Sequence, residues 1–235
     1  AVGLNGVGTK AVNALSASFK VSAFREGKEK TADFSRGELV KEYKESKTEQ
    51  PNGTLVSFTP DESVFKGYRF IYDFIENQLW NYAFLNAGLK INFNGKSFLS
   101  KNGLLDLLQR KTNEDEIRYP IIHLTGDDIE VAISHTNDYG EDIYSFVNGQ
   151  HTTQGGTHQN AFREGLVTVM RDFYGKNFDA ADIRACVIGA VSLKVVEPVF
   201  ESQTKTKLGS LEMAPGEVHV RTFVGNFLKE HLDNF

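Results

Sequence analysis

The hydrophobic positions of this chain switch between helical and alternating spacing, and each switch marks an element. Val12, Leu15 and Phe19 recur at helical spacing, so a helix follows the opening glycines. Residues 19–24 alternate as a strand, residues 25–28 turn it, and residues 30–34 return beside it. Charge dominates the run KEYKESKTE at 41–49, which reads as a solvated loop or an exposed edge. After the turn Pro51-Asn52-Gly53, Thr54, Val56 and Phe58 share one face of a strand that Pro60 breaks. A long helix is predicted over 68–86. Ile71, Phe74, Ile75, Gln78, Leu79 and Tyr82 define one side of it, with Trp80 and Phe84 off that side. So broad a stripe suits packing across a sheet. Gly88 fits a stop, residues 89–93 a short strand, and Asn94-Gly95 a two-residue hairpin.

A second unit is predicted from Phe98 onward. Leu104, Leu105, Leu107 and Leu108 mark a short helix, and residues 111–118 form a charged loop. Strands follow at 120–124, 129–133 and 143–147, with turns at Gly126-Asp127 and Asn148-Gly149. Gln154-Gly155-Gly156-Thr157-His158 opens a helix with Phe162, Leu166, Val169, Met170 and Phe173 on one face and Thr157 as its N-cap. Residues 186–196 are almost free of polar groups and read as a buried central strand. A last helix is expected over 217–232. The fold class is therefore α+β.

Composition narrows the class. The 235 residues allow one large or two modest domains, and 40% hydrophobic with 24% charged residues is ordinary for a folded soluble protein. No apolar run reaches membrane-crossing length and nothing at the N-terminus reads as a signal peptide, so no membrane partner is expected. The single cysteine, Cys186, forms no internal disulfide and fits a reducing cytoplasm; its apolar neighbours make it a buried small side chain. A net charge of −5 is not that of a protein coated in basic residues for nucleic acid, although it allows local patches. The six histidines lack metal-ligand spacing, and no metal site is expected at His151 and His158.

The stretch with the most chemistry is the first one, Gly3-Leu4-Asn5-Gly6-Val7-Gly8-Thr9-Lys10. A glycine loop feeding a helix N-terminus offers unpaired amides and the positive end of the helix dipole, which suits phosphate oxygens. A plain surface turn fits the same residues. Two familiar phosphate loops do not. Thr9-Lys10 reverses the final pair of a P-loop, and no strand precedes Gly3 as a dinucleotide fingerprint requires.

Two further stretches give the loop a context: Gln154-Gly155-Gly156-Thr157-His158, and Glu201-Ser202-Gln203-Thr204-Lys205-Thr206-Lys207-Leu208. In order and spacing these, with residues 3–8, Val12-Asn13-Ala14-Leu15-Ser16, Gly53-Thr54 and Phe84-Leu85-Asn86-Ala87-Gly88, resemble the B subunits of bacterial type IIA topoisomerases, those of gyrase and of topoisomerase IV. The resemblance covers essentially the whole chain, and residues 151–158 favour topoisomerase IV. Chaperone and mismatch-repair relatives lack the Gln203-Thr204-Lys205 context.

The resemblance implies that residues 1–97 are the C-terminal part of a GHKL-type ATPase α/β sandwich and residues 98–235 a ribosomal S5-like transducer domain. It implies ATP with Mg2+ as cofactor. Gly3, Leu4, Asn5, Gly6, Val7, Gly8 and Thr9 would wrap the triphosphate, with Asn5 where the family usually has histidine. Thr54 would sit by the adenine edge, although a β-branched residue in a strand needs no such role. Gln203 and Lys205 would touch the terminal phosphate, an ammonium being a compact charge for that oxygen cluster. The implied partners are a DNA duplex, the topoisomerase A subunit and a second copy of the B subunit. The chain departs from the family at its start. The general-base glutamate, the magnesium-binding asparagine and the adenine-reading aspartate have no counterpart in 1–235. The expectation is a segment of a larger protein, without catalytic residues of its own and without unaided ATP hydrolysis.

Overall fold

The computed structural model describes residues 6–232. They form two compact units that divide between Ile71 and Tyr72, ahead of the sequence-based boundary at 97/98.

The first unit opens with helix α1 (Gly8–Ala14), followed by strands β1 (Ser16–Arg25), β2 (Lys28–Ser35), β3 (Glu38–Glu42), β4 (Ser46–Lys47) and β5 (Gly53–Pro60). The strands pair antiparallel in the order β3-β2-β1-β5, with β4 added beside β2. Two-residue turns set this meander. Glu26-Gly27 and Arg36-Gly37 all hold positive φ, the geometry that matches the right-handed twist of the flanking strands. The second turn carries a strand the sequence pattern did not show: β3 covers 38–42, and residues 41–49 are an exposed edge rather than a plain loop. The end of α1 is pinned on three sides. Ser16 Oγ donates to Val12 O, and the amides of Arg36 and Asp61 donate to Ser16 O and Leu15 O. The buried Asp61 carboxylate accepts from Arg36 Nε and from the Ser63 amide and hydroxyl, which pull its pKa down to about 2.

The second unit holds α2 (Tyr72–Leu85), the hairpin β6 (Ile91–Phe93) and β7 (Lys96–Phe98), α3 (Leu104–Lys111), β8 (Ile122–Thr125), β9 (Ile129–His135), β10 (Glu141–Val147), β11 (Gln150–His151), α4 (Thr157–Tyr174), α5 (Ala180–Arg184), β12 (Val187–Leu193) and α6 (Val220–Leu232). Its five-stranded sheet runs β11-β10-β12-β9-β8, so the apolar run at 186–196 is central, as its sequence requires. β12 lies parallel to β10 and antiparallel to β9, with α4 as the crossover. Side chains alternate across the sheet. Val131, Ile133, Val187 and Val191 face α4 and α6, while Ala132, Ile188 and Ala190 face α3 and the end of α2.

α2 corrects the expected stripe. It starts at Tyr72, and its buried residues are Ala83 and Phe84, not the predicted face; Phe74 is 70% exposed. Trp80, which the periodicity puts off the stripe, stacks on Phe84 with 5.4 Å between ring centroids. It meets Phe98 edge-on at 5.2 Å, and Arg110 lies over its ring. The helix thus packs on α3 and the hairpin rather than across a sheet, which is why it belongs to the second unit. α6 starts at Val220 instead of 217.

Phe84→Ala is expected to destabilise the second unit by about 3–5 kcal/mol, the usual cost of emptying a buried aromatic site. Phe74→Ala should stay within about 0.5 kcal/mol. Urea unfolding of the two variants checks the reassigned face.

Candidate functional site

Gly3, Leu4 and Asn5 lie outside the described residues. The rest of the opening loop is exposed. Gly6 has φ +57, Val7 takes the cap position of α1, and Val7 O accepts the amide of Ala11. Among the described residues no side chain caps this N-terminus, and no acidic residue stands in its first turn. Among the described residues nothing lies within 4 Å of a Cβ placed on Gly6 or Gly8. The donor set is therefore a run of first-turn amides and the Thr9 hydroxyl, which matches phosphate oxygens. Thr54 is exposed near the start of β5, paired with Ala23 of β1; Pro60, at the other end of β5, pairs with Ser16 just after α1.

In the second unit, the two motifs that stand far apart in sequence are joined through their backbones. Residues 199–210 form a tight hairpin in which Phe200 bridges Leu208 and the Glu201 amide donates to Lys207 O. Its tip is a turn closed by the Lys205 amide on Ser202 O, with Lys205 at φ +57. Gln203 is exposed, Lys205 half-buried, and Lys207 pairs with Glu201 at 2.9 Å. The returning arm runs along residues 154–157. The Gln154 amide donates to Thr206 O, the Leu208 amide to Gly155 O, and the Thr157 amide to Leu208 O.

Gly156 explains why this approach is possible. A Cβ there would stand 2.4 Å from Leu208 O and 2.5 Å from Leu208 N, and its φ is +130. Only glycine fits. This also corrects the helix cap. Gly156 is the N-cap of α4, and Thr157 is inside the helix with its hydroxyl donated to Ser210 O at 2.7 Å. The neighbouring histidine is structural. Thr152 Oγ1 donates to Ser145 O, so His158 Nε2 must donate to Thr152 Oγ1, and the buried Nδ1 has no partner among the described residues. Burial pushes the His158 pKa down to about 4. Among the described residues no group of His, Cys, Asp or Glu is arranged to hold a metal ion, and no helix is long and apolar enough to cross a membrane.

The sequence profile of DNA gyrase B matches residues 97–235. The chain belongs to the DNA gyrase B family. It is 49% identical over 211 residues to the B subunit of DNA topoisomerase 4 from Borreliella burgdorferi, covering 90% of this chain and 35% of that protein. The B subunit of DNA gyrase from Streptococcus pyogenes is 33% identical over 99% of this chain and 39% of its own length. The 43K ATPase domain of Thermus thermophilus gyrase B, solved in complex with an aminocoumarin, superposes with a TM-score of 0.77 at 30% identity, covering 98% of this chain and 66% of that one. The chain thus spans well under half the length of these two curated relatives. Its α+β architecture is that of the GHKL-type ATPase region of gyrase B.

Sequence reasoning missed the partners that hold the 203–205 tip, namely Gln154, Thr206 and Ser210. Thr206 Oγ1 donates to Gln154 Oε1 across 52 positions of sequence. Both motifs stand out in the sequence as polar, glycine-bearing or basic stretches, but pairing them needs the fold.

His158 carries a pH prediction. Its pKa is about 4 when folded against 6.5 when free. The unfolded chain therefore binds the extra proton between these values, and stability falls as pH drops from about 6.5 toward 4, by about 3 kcal/mol in all. Urea midpoints measured across this window should fall less in His158→Gln than in the native chain; equal slopes would assign the proton uptake elsewhere.

Proposed function

We propose that this chain is part of the ATP-operated clamp of a type IIA DNA topoisomerase. Residues 1–97 supply the later part of the GHKL ATPase domain and residues 98–235 the transducer. Family membership is the observation that carries this reading, and the first-turn amides of α1, which no side chain caps among the described residues, agree with it. Those amides, with Gly3, Leu4, Asn5, Gly6, Val7, Gly8 and Thr9, hold the phosphates of ATP, and Thr54 places its hydroxyl toward the adenine edge. Gln203 and Lys205 contact the terminal phosphate. When bound with magnesium, ATP supplies a terminal phosphate whose loss on hydrolysis removes the contact to Lys205. The two nucleotide states then differ in the energy of the closed form, which is what a ligand-biased switch requires. The magnesium ligand and the general base are assigned to no residue of 1–235, and this segment by itself is not expected to hydrolyse ATP.

The higher identity to the topoisomerase 4 protein than to the gyrase protein favours topoisomerase IV. The working partners are then a DNA duplex, the cognate A subunit and a second copy of the B subunit, in the cytoplasm.

Lys205→Ala in the full-length gene product is expected to lower ATP turnover about 100-fold, the scale on which removing one charge-stabilising donor acts, with circular dichroism and melting unchanged. Turnover at the native rate would take Lys205 out of the site. Gel shifts showing that 1–235 binds duplex DNA without binding nucleotide would favour a purely structural, DNA-contacting role. Reconstituted with its A subunit, the enzyme should unlink catenated circles and fail to introduce negative supercoils.

A further inference from the structure

The tip that carries Gln203 and Lys205 is short, polar and exposed at its apex. Such a loop, left alone, samples many conformations, and a phosphate contact made from it loses the entropy of ordering it. Here the loop is not alone. Among the described residues, bonds to Thr206, Leu208 and Ser210 of its returning arm come from one place, the turn at residues 154–157. The Gln154 amide and side chain hold Thr206, one residue from Lys205. The backbone of Gly155 and Thr157 holds Leu208, which is 1% exposed. The Thr157 hydroxyl holds Ser210, whose own hydroxyl accepts the Val199 amide at 2.7 Å and so ties the outgoing arm to the returning one.

We infer that the turn at residues 154–157 is a clasp that sets where Gln203 and Lys205 stand, and that Thr157 is its positioning residue. The functional half of this statement rests on the proposed role of those two side chains at the phosphate. The clasp has a rigid base. The Gly155 amide donates to Thr152 O, and Thr152 belongs to the buried Ser145–Thr152–His158 network that joins the turn to β10 and to the first turn of α4. Position is thus passed to the tip from the sheet and the crossover helix through main-chain bonds, and the Thr157 hydroxyl, with the Gln154–Thr206 side-chain bond, closes the hairpin against them. Thr157 touches no part of the proposed phosphate contact itself. It acts through the loop.

The test uses Thr157→Val, which keeps the shape and removes the hydroxyl, and Thr157→Ser, which restores it. Gly156→Ala is unsuitable, because its clash with Leu208 threatens folding. Hydrogen exchange in the full-length gene product should speed about tenfold at the amides of Glu201 and Leu208 in Thr157→Val, the scale of one lost hydrogen bond. It should stay native in Thr157→Ser, with the amides of β9 and β12 unchanged in both. ATP turnover at saturating ATP should fall about tenfold in Thr157→Val and recover in Thr157→Ser. In a Lys205→Ala background, Thr157→Val should cost less than it does alone, since both act at the same tip. Unchanged exchange at 201–208 would refute the clasp. Equal losses with and without Lys205 would show that Thr157 acts elsewhere and would overturn its positioning role. If Lys205→Ala alone leaves turnover native, the phosphate reading fails, and the exchange data still decide whether the turn holds the loop.

Discussion

The second unit depends on the parallel pairing of β10 with β12. Parallel neighbours cannot be joined by a tight turn, so the chain must leave the sheet and return, and α4 is that return. β12 is buried on both faces, which fixes its register by packing as well as by hydrogen bonds. Asn148, just past β10, extends the pairing with its side chain: Nδ2 donates to Val195 O and Oδ1 accepts the Val195 amide, both at 2.7 Å. The chain leaving β12 is thereby launched from a defined point. It passes the start of α4, and the two glycine-dependent and polar motifs meet there.

At that meeting point geometry outweighs polarity. The contact between Gly156 and the Leu208 backbone brings main chains closer than any side chain allows, and the amides on both sides find carbonyl partners. A buried imidazole with one unpaired nitrogen is unfavourable by itself. It is retained because its other nitrogen completes the Thr152 network, and because the neutral form avoids the far larger penalty of a buried charge. The result is a rigid base beneath an exposed polar tip.

The first unit is held in a different way. Among its described residues Phe19 is the one large hydrophobic side chain that is buried, while Leu39, Val40, Leu55, Val56 and Phe58 stand exposed. Its order comes from local turn chemistry and from ladder hydrogen bonds, together with the Asp61 carboxylate that gathers Arg36 and Ser63 beside the end of α1. Local rules of this kind are legible in a sequence, and the β1–β2 hairpin and the strand at 54–58 follow from them. The neighbouring β3 escapes because Arg36-Gly37 is a less familiar pair than Asn-Gly, although both residues adopt positive φ in the same manner.

By itself the sequence determined the elements whose spacing is strong and local: α3, α4, the buried strand β12, the hairpin at Asn94-Gly95 and the turn at Asn148-Gly149. It also carried the motifs that mark the family, because residue identity at fixed order survives without coordinates. Only the tertiary structure decided which side of α2 is buried. Helical periodicity reports that apolar residues share a side, whereas burial depends on what lies opposite, and here Phe98 and the α3 leucines select Trp80 and Phe84. It alone decided that Gly156 rather than Thr157 caps α4 and that residues 154–157 grip residues 206–210. Those contacts join backbones some 50 positions apart, and no one-dimensional pattern encodes a distance between main-chain atoms.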